Sequence, residues 1–182
     1  MAMNAGKLDQ LVRVLELGAV EGGFGWVERR KAWAHAELSD RTNIFSSAGL
    51  GARTVVFTIR RQSIDLDCAI QWGTQHCFIT AITPTADKVH LTVTAAVVLS
   101  AAATDDSGRS FPCCLTEKYA GYERDKAHSE VTVRYVLVLP KSVTLAPGDL
   151  VTLPGYGRFE VHTPHELDGH KNEYEAERTA DA

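Results

Sequence analysis

The chain has 182 residues, of which 45% are hydrophobic and 23% are charged, a composition typical of a soluble globular protein. This length suits one large domain or two small ones. No apolar run approaches the ~20 residues that a membrane-spanning helix needs, and the N-terminus lacks a signal-peptide pattern. The four cysteines do not resemble a secreted disulfide framework, so we expect a reducing, cytoplasmic setting.

The net charge of -4 is unevenly distributed along the chain. Residues 1–98 carry 10 Lys and Arg against 9 Asp and Glu, whereas residues 99–182 carry 9 against 14. A dedicated nucleic-acid-binding surface is normally basic, so the acidic second half argues against that function. A neutral or acidic surface remains compatible with a wall past which DNA slides.

The first predicted element is a hairpin. LVRVLEL (11–17) and RKAWAHAEL (30–38) have the composition of strands and flank a glycine-rich segment, EGGFGW, that begins at Glu21. A phosphate-binding glycine loop would lead into a helix, whereas the residues after Gly25 are strand-like. We therefore predict that glycine serves here as a turn residue between two strands.

Alternation of apolar and polar residues predicts four further strands, each with one buried face. Their predicted inward residues are Val55, Phe57 and Ile59; then Ile64, Leu66, Cys68, Ile70 and Trp72; then Val89, Leu91, Val93, Ala95 and Val97; and finally Val131, Val133, Tyr135, Leu137 and Leu139. Between the last two of these strands, residues 100–110 read as a linker and residues 115–127 hint weakly at a short helix.

The predicted fold class is all-β, with two small β-barrel or β-sandwich modules joined by a short linker. The first module would span residues 1–99 and carry a long loop, 39–53. The linker would span 100–110, and the second module 111–182, ending in an acidic tail from residue 166. Residues 55–82 and 133–161 also share an order of strand, Ser-(Ile/Val)-x-Leu, strand and glycine turn, which suggests related modules.

The order of several pieces over residues 3–98 carries a family resemblance. The pieces are the start MNAGKL, the first strand, the glycine turn and the Trp-Ala strand, followed by VVFTIRR, AIQWGTQHCFITAI and VHLTVTAAVV. Together they resemble the phage head-tail joining proteins, a family of head-tail adaptor, stopper and head-closure proteins. Residues 107–182 resemble, more loosely, C-terminal parts of other small phage neck and minor capsid proteins. The usual family members end near the end of the first module.

This resemblance implies a structural protein of the virion neck, assembled in the host cytoplasm, with no enzymatic activity, cofactor, metal or membrane partner. Such proteins form a ring between the portal or adaptor protein and the tail or tail-terminator protein. For this chain we expect a six- or twelve-fold ring through which the packaged double-stranded DNA passes. A long loop in the family can project toward the DNA channel and help retain the genome, and loop 39–53 occupies that place here.

The predicted functional residues follow from the loop and from exposed anchors. The channel and docking residues are predicted to be Arg41, Ile44, Phe45, Leu50 and Arg53, and the interface residues Trp26, Trp33, Arg60, Arg61 and Tyr174. The arginines could contact DNA phosphates or an acidic neighbour such as the acidic half of another subunit, or they could be edge-strand charges that discourage aggregation. The simplest interpretation of the two tryptophans is packing within the core or the hairpin, and a subunit interface is the second option.

The late histidines and the cysteines are also candidates for functional sites, but each has a simpler structural interpretation. His162, His165 and His170 lie near Glu166 and Asp168, which suggests a metal site, but Pro164 and Gly169 favour an ordinary polar loop. Cys68 and Cys77 flank a glycine turn, and we predict buried thiols there rather than a disulfide. No serine or cysteine sits on a strand-to-helix elbow with a histidine partner. The alternative function is a monomeric or dimeric β-barrel binding module for a small ligand or peptide.

Overall fold

The computed structural model describes residues 7–38, 53–118, 134–165 and 168–179. Within these ranges all regular structure longer than a turn is β-strand, which confirms the all-β prediction. None of the described segments forms a helix that is long and apolar enough to cross a membrane. The strands are β1 (Gln10–Val20), β2 (Gly23–Leu38), β3 (Arg53–Arg60), β4 (Ala69–Trp72), β5 (Gln75–Pro84), β6 (His90–Asp105), β7 (Ser110–Lys118), β8 (Arg134–Pro140), β9 (Leu150–Leu153), β10 (Gly157–His165) and β11 (Lys171–Arg178).

The chain divides into two compact units, Met1–Leu99 and Ser100–Ala182. In the first unit six antiparallel strands follow one another in the order β1-β4-β5-β6-β3-β2. Strands β1 and β2 also pair with each other, so the sheet closes on itself like a barrel. Each of these strands is therefore hydrogen-bonded on both sides.

The second unit closes in the same way. Its first strand is the end of β6, where Thr104 and Asp105 pair with β9. The order continues through β10, β11, β8 and β7, and β7 pairs back with β6. The strand order of the second unit is therefore β6-β9-β10-β11-β8-β7. If the strands of each unit are numbered from one to six along the chain, both units have the same order: one, four, five, six, three, two. The related sequence segments 55–82 and 133–161 lie on equivalent strands, β3 to β5 and β8 to β10.

The core of the first unit follows the predicted alternation on β3 and β6. Val55, Phe57 and Ile59 are fully buried, and Val93 and Ala95 lie opposite them across the sheet. The predicted hairpin is confirmed as well, because β1 and β2 pair along their length around Gly22, whose φ of 78° suits glycine. The thiols of Cys68 and Cys77 are buried and free, as predicted, and burial raises the pKa of Cys77 to about 12.

The core of the second unit is organised by β11. Asn172, Tyr174 and Ala176 alternate inward and are almost fully buried. The Asn172 Nδ2 group donates hydrogen bonds to the carbonyl oxygens of Lys141 (3.3 Å) and Val143 (2.8 Å), and the Leu145 amide donates to the Tyr174 hydroxyl at 3.1 Å. Two inward side chains of β11 thus hold the connection between β8 and β9.

Three predicted segments differ in the structure. Residues 63–68 form turns rather than a strand, because the Asp65 carboxylate accepts hydrogen bonds from the Asp67 amide (3.1 Å) and the Cys68 thiol (3.2 Å). The stretch 100–110 is the end of β6, a tight turn and the start of β7, not a linker. The tail from residue 166 contains β11, which pairs with both β8 and β10.

Two smaller predictions are corrected as well. Val89 is 57% exposed because β6 begins one residue later, at His90. Residues 115–118 belong to β7 rather than to a short helix, and residues 119–127 lie outside the described ranges. The predicted inward residues Val131 and Val133 also lie outside them.

His76 on β5 is a partly buried histidine whose ring contacts Trp26 of β2. The ring centroids are 5.4 Å apart, and within the described residues neither His76 Nε2 nor Trp26 Nε1 has a hydrogen-bond partner. Burial lowers the pKa of His76 to about 4. The imidazole is therefore neutral in the folded protein at neutral pH.

We expect acidification to destabilise the protein through His76. An unfolded histidine titrates near pH ~6.5, so between that pH and about 4 the unfolded state binds a proton that the folded state does not. Stability is lost as the pH falls through this window, by about 2 kcal/mol at pH ~5. Urea unfolding at pH ~7.5 and ~5 should show this loss in the wild type and a smaller one in His76→Gln. Equal losses in both proteins would contradict the assignment.

Candidate docking surface

A groove on the first unit is lined by side chains from β2, from the end of β3 and from the segment before β1. Its volume is about 500 Å³. The lining residues are Leu8, Lys31, Ala32, Trp33, Arg60, Arg61 and Gln62. We refer to this set as the basic groove.

Strand alternation explains why these side chains face outward. Ala34 is fully buried and pairs with Ile59, so the odd-numbered neighbours Lys31 and Trp33 point away from the core. Continuing the same register by one residue places Arg60 opposite Trp33. Beyond β3, the Arg61 amide donates a hydrogen bond to the Val89 carbonyl at 2.7 Å, which holds the backbone of the groove wall.

Trp33 in the groove and Leu11 beside the groove form an exposed apolar pair. Trp33 has 58% of its surface accessible, and its cross-strand neighbour Leu11 has 49%. Tryptophan is among the residues that contribute most binding energy when a partner buries them. An exposed Trp-Leu pair on a rigid sheet is therefore suited to contact with another macromolecule.

The charged part of the groove carries three cations, Lys31, Arg60 and Arg61. Within the described ranges, none of the three forms an ion pair. Nearby cations differ: Arg13 lies 3.4 Å from Glu28, and Arg29 lies 3.1 Å from Glu16. Among the described residues, the groove therefore has three positive charges without an ion-pair partner beside its exposed aromatic ring.

The structure brings together three of the predicted interface residues and separates the others. Trp33, Arg60 and Arg61 line the basic groove, whereas Trp26 packs on His76. Tyr174 is fully buried in the second unit, so the prediction of an interface role is corrected to a core role. Arg53 is exposed at the start of β3. The other predicted loop residues, Arg41, Ile44, Phe45 and Leu50, lie outside the described residues.

The late histidines lie beside carboxylates on the second unit. His165 Nε2 is 3.1 Å from Glu175 Oε1, and His162 Nε2 is 3.5 Å from Glu177 Oε2. The Asp168 carboxylate accepts hydrogen bonds from the amides of His170 and Lys171. Among the described residues, which omit Glu166, no three His, Cys, Asp or Glu side chains form a group that could hold a metal ion.

No protein-family model, curated protein or solved structure matches the chain.

Proposed function

We propose that this protein is a structural component of a phage neck, a head-tail joining protein that assembles as a ring between portal or adaptor and tail. The main support is the surface around Trp33, where an exposed aromatic ring lies beside three cations that form no ion pair with any described residue. The order of sequence pieces that resembles the head-tail joining family supports the same function. The DNA would pass through the lumen of the ring, and loop 39–53 would help to retain it.

The strand pairing supports association through side chains rather than through backbone edges. Each strand of the first unit pairs with a neighbour on both sides over at least part of its length, which reduces the backbone edge available for pairing with another copy. A rigid, closed sheet also keeps the exposed side chains in fixed positions, which lowers the entropy lost on assembly. The proposed mechanism is geometric: fixed surfaces meet their neighbours, and loops order on docking.

Trp33→Ala tests this function directly. We expect the variant to lose about 2 kcal/mol or more of assembly free energy, because a truncated anchor no longer fills its partner's surface. Its free energy of unfolding should change by less than about 1 kcal/mol, since the side chain is 58% exposed in the free chain. Light scattering and binding to the cognate portal complex would measure assembly, and urea unfolding would measure stability.

Val27→Ala is the matched control, because Val27 is another exposed apolar side chain on β2 and lies outside the groove. It should assemble like the wild type. If Trp33→Ala assembles equally well, the surface around Trp33 does not serve assembly and the proposal loses its main support.

The second candidate function is a monomeric or dimeric β-barrel module that binds a small ligand or a peptide. The basic groove favours it, since a concave surface with one aromatic ring and several cations suits an acidic peptide. A wild-type protein that stays monomeric and never binds the portal would favour this module instead.

A further inference from the structure

The second unit carries four glutamates on the outer face of β10 and β11, of which Glu177 is half exposed and the other three are partly buried. Asn172, Tyr174 and Ala176 of β11 are buried, so the alternate residues of this strand face outward. They are joined by Glu160 of β10, which lies directly opposite Glu177. We call Glu160, Glu173, Glu175 and Glu177 the acidic face.

The acidic face is partly neutralised within its own unit, where Lys171 lies on the same side of β11 and attracts Glu173. Glu175 lies 3.9 Å from Arg134 and 3.1 Å from His165, and Glu177 contacts His162, an imidazole that is charged only when protonated. Glu160 and Glu177 form a cross-strand pair of like charge, which disfavours the isolated sheet. A cationic partner would relieve this repulsion.

The positive charge of the basic groove favours an acidic partner surface over a second basic groove. Two copies that met groove to groove would bring like charges together, which disfavours a symmetric contact through this surface. The second half of the chain, by contrast, carries 14 acidic residues against 9 basic ones. The groove and the acidic face are thus complementary surfaces on different units of one chain.

We propose that the basic groove of one copy binds the acidic face of a second copy, an inference that rests on the proposed ring assembly and names its contact. Such a contact is heterologous, because the two copies use different surfaces. A heterologous contact repeats from one copy to the next. The copies form a closed ring when a whole number of these rotations completes a full turn. Trp33 supplies the apolar anchor, and Lys31, Arg60 and Arg61 surround it with charge.

Charge reversal on the full chain tests the contact. Arg60→Glu/Arg61→Glu and Glu160→Lys/Glu177→Lys should each raise the dissociation constant for self-association by roughly 100-fold in sedimentation velocity. A mixture of the two variants should associate, because each supplies the surface that complements the other. The chain with all four substitutions keeps the wild-type net charge of -4 and should also regain association.

A matched control and a DNA titration complete the experiment. Glu21→Lys reverses an exposed charge at the β1–β2 turn, outside both surfaces, and should associate like the wild type. Failure of both the mixture and the fourfold variant to associate would overturn the contact. So would a wild type that is monomeric alone or a groove that binds only a double-stranded DNA oligonucleotide. The neck function would survive these outcomes if the wild type still bound the portal complex, and would fail only if that binding were absent.

Discussion

Phe57→Ala is expected to lower the free energy of unfolding by about 4 kcal/mol. Phe57 is fully buried in the centre of the first unit, and its ring meets Trp72 edge to face at 5.8 Å. Truncation removes the apolar area of the ring and leaves a cavity that paired strands on both sides cannot easily close. Proteins of this kind are stable by only ~5–15 kcal/mol, so the variant should be close to unfolding at physiological temperature.

The adjacent residue on the same strand provides the control for Phe57. Thr58 points to the opposite face and is only partly buried, so Thr58→Ala should cost less than about 1 kcal/mol. Urea unfolding followed by tryptophan fluorescence would compare the two variants. A loss below ~1 kcal/mol for Phe57→Ala would mean that this strand does not face a packed core.

Tyr174→Ala is expected to have the second large effect, again about 4 kcal/mol, in the second unit. Tyr174 is fully buried, and its hydroxyl accepts a hydrogen bond from the Leu145 amide at 3.1 Å. The substitution removes both the packed ring and the acceptor. It should also free the connection between β8 and β9, which Asn172 and Tyr174 hold together.

Tyr174→Phe separates the two contributions. The ring stays packed, but the buried Leu145 amide loses its acceptor, so the expected cost is about 1–3 kcal/mol. Tyr156→Ala is the control, because Tyr156 lies in the same unit and is 38% exposed, and its loss should be small. If Tyr174→Ala impaired assembly while leaving stability unchanged, the interface role predicted from sequence would be restored.

The β3 and β6 strands could be predicted from sequence because one face of each is buried and the other is not. Apolar and polar residues then alternate along the strand, with the apolar ones on the buried face, as in Val55, Phe57 and Ile59. The same period misled at 63–68, where Ile64 and Leu66 are partly buried although the backbone turns around Asp65. An alternating pattern of buried residues usually marks a strand. Here the Asp65 carboxylate accepts local hydrogen bonds that favour a turn, although the apolar side chains remain partly buried.

Strand β11 was missed because its outward positions are all charged. KNEYEAER reads as a solvated tail, since only Tyr174 and Ala176 are apolar. The buried Asn172 adds a polar residue on the inward face, where its amide satisfies two carbonyl groups. Knowledge of the partner strands β8 and β10 is needed to recognise it, and a single sequence does not contain that information.

Several exposed residues of the docking surface could be predicted from the sequence, but the sequence did not show that they lie together. Trp33 and Arg60–Arg61 stand out in the sequence, yet they are 27 positions or more apart and meet only because β2 pairs with β3. The sequence did not mark Leu11 and Lys31 as binding residues, because isolated apolar or charged residues on strands are common. Tyr174 lies between two glutamates in the sequence, and only the pairing of β11 with β8 and β10 shows that its ring is buried.

The closed pairing of both units explains how a chain of this kind could serve as a rigid building block. Its two units share one strand order, and they present surfaces of opposite charge, the basic groove and the acidic face. Electrostatic attraction would orient neighbouring copies, and burial of Trp33 would stabilise the contact once it formed. Salt should therefore weaken assembly more than it weakens folding.

Cryo-electron microscopy of the purified protein, alone and mixed with its cognate portal complex, tests the neck assignment most directly. We expect a closed ring coaxial with the portal, with neighbouring copies in contact through the basic groove and with loop 39–53 toward the lumen. Particles that remain monomeric and never bind the portal would contradict it.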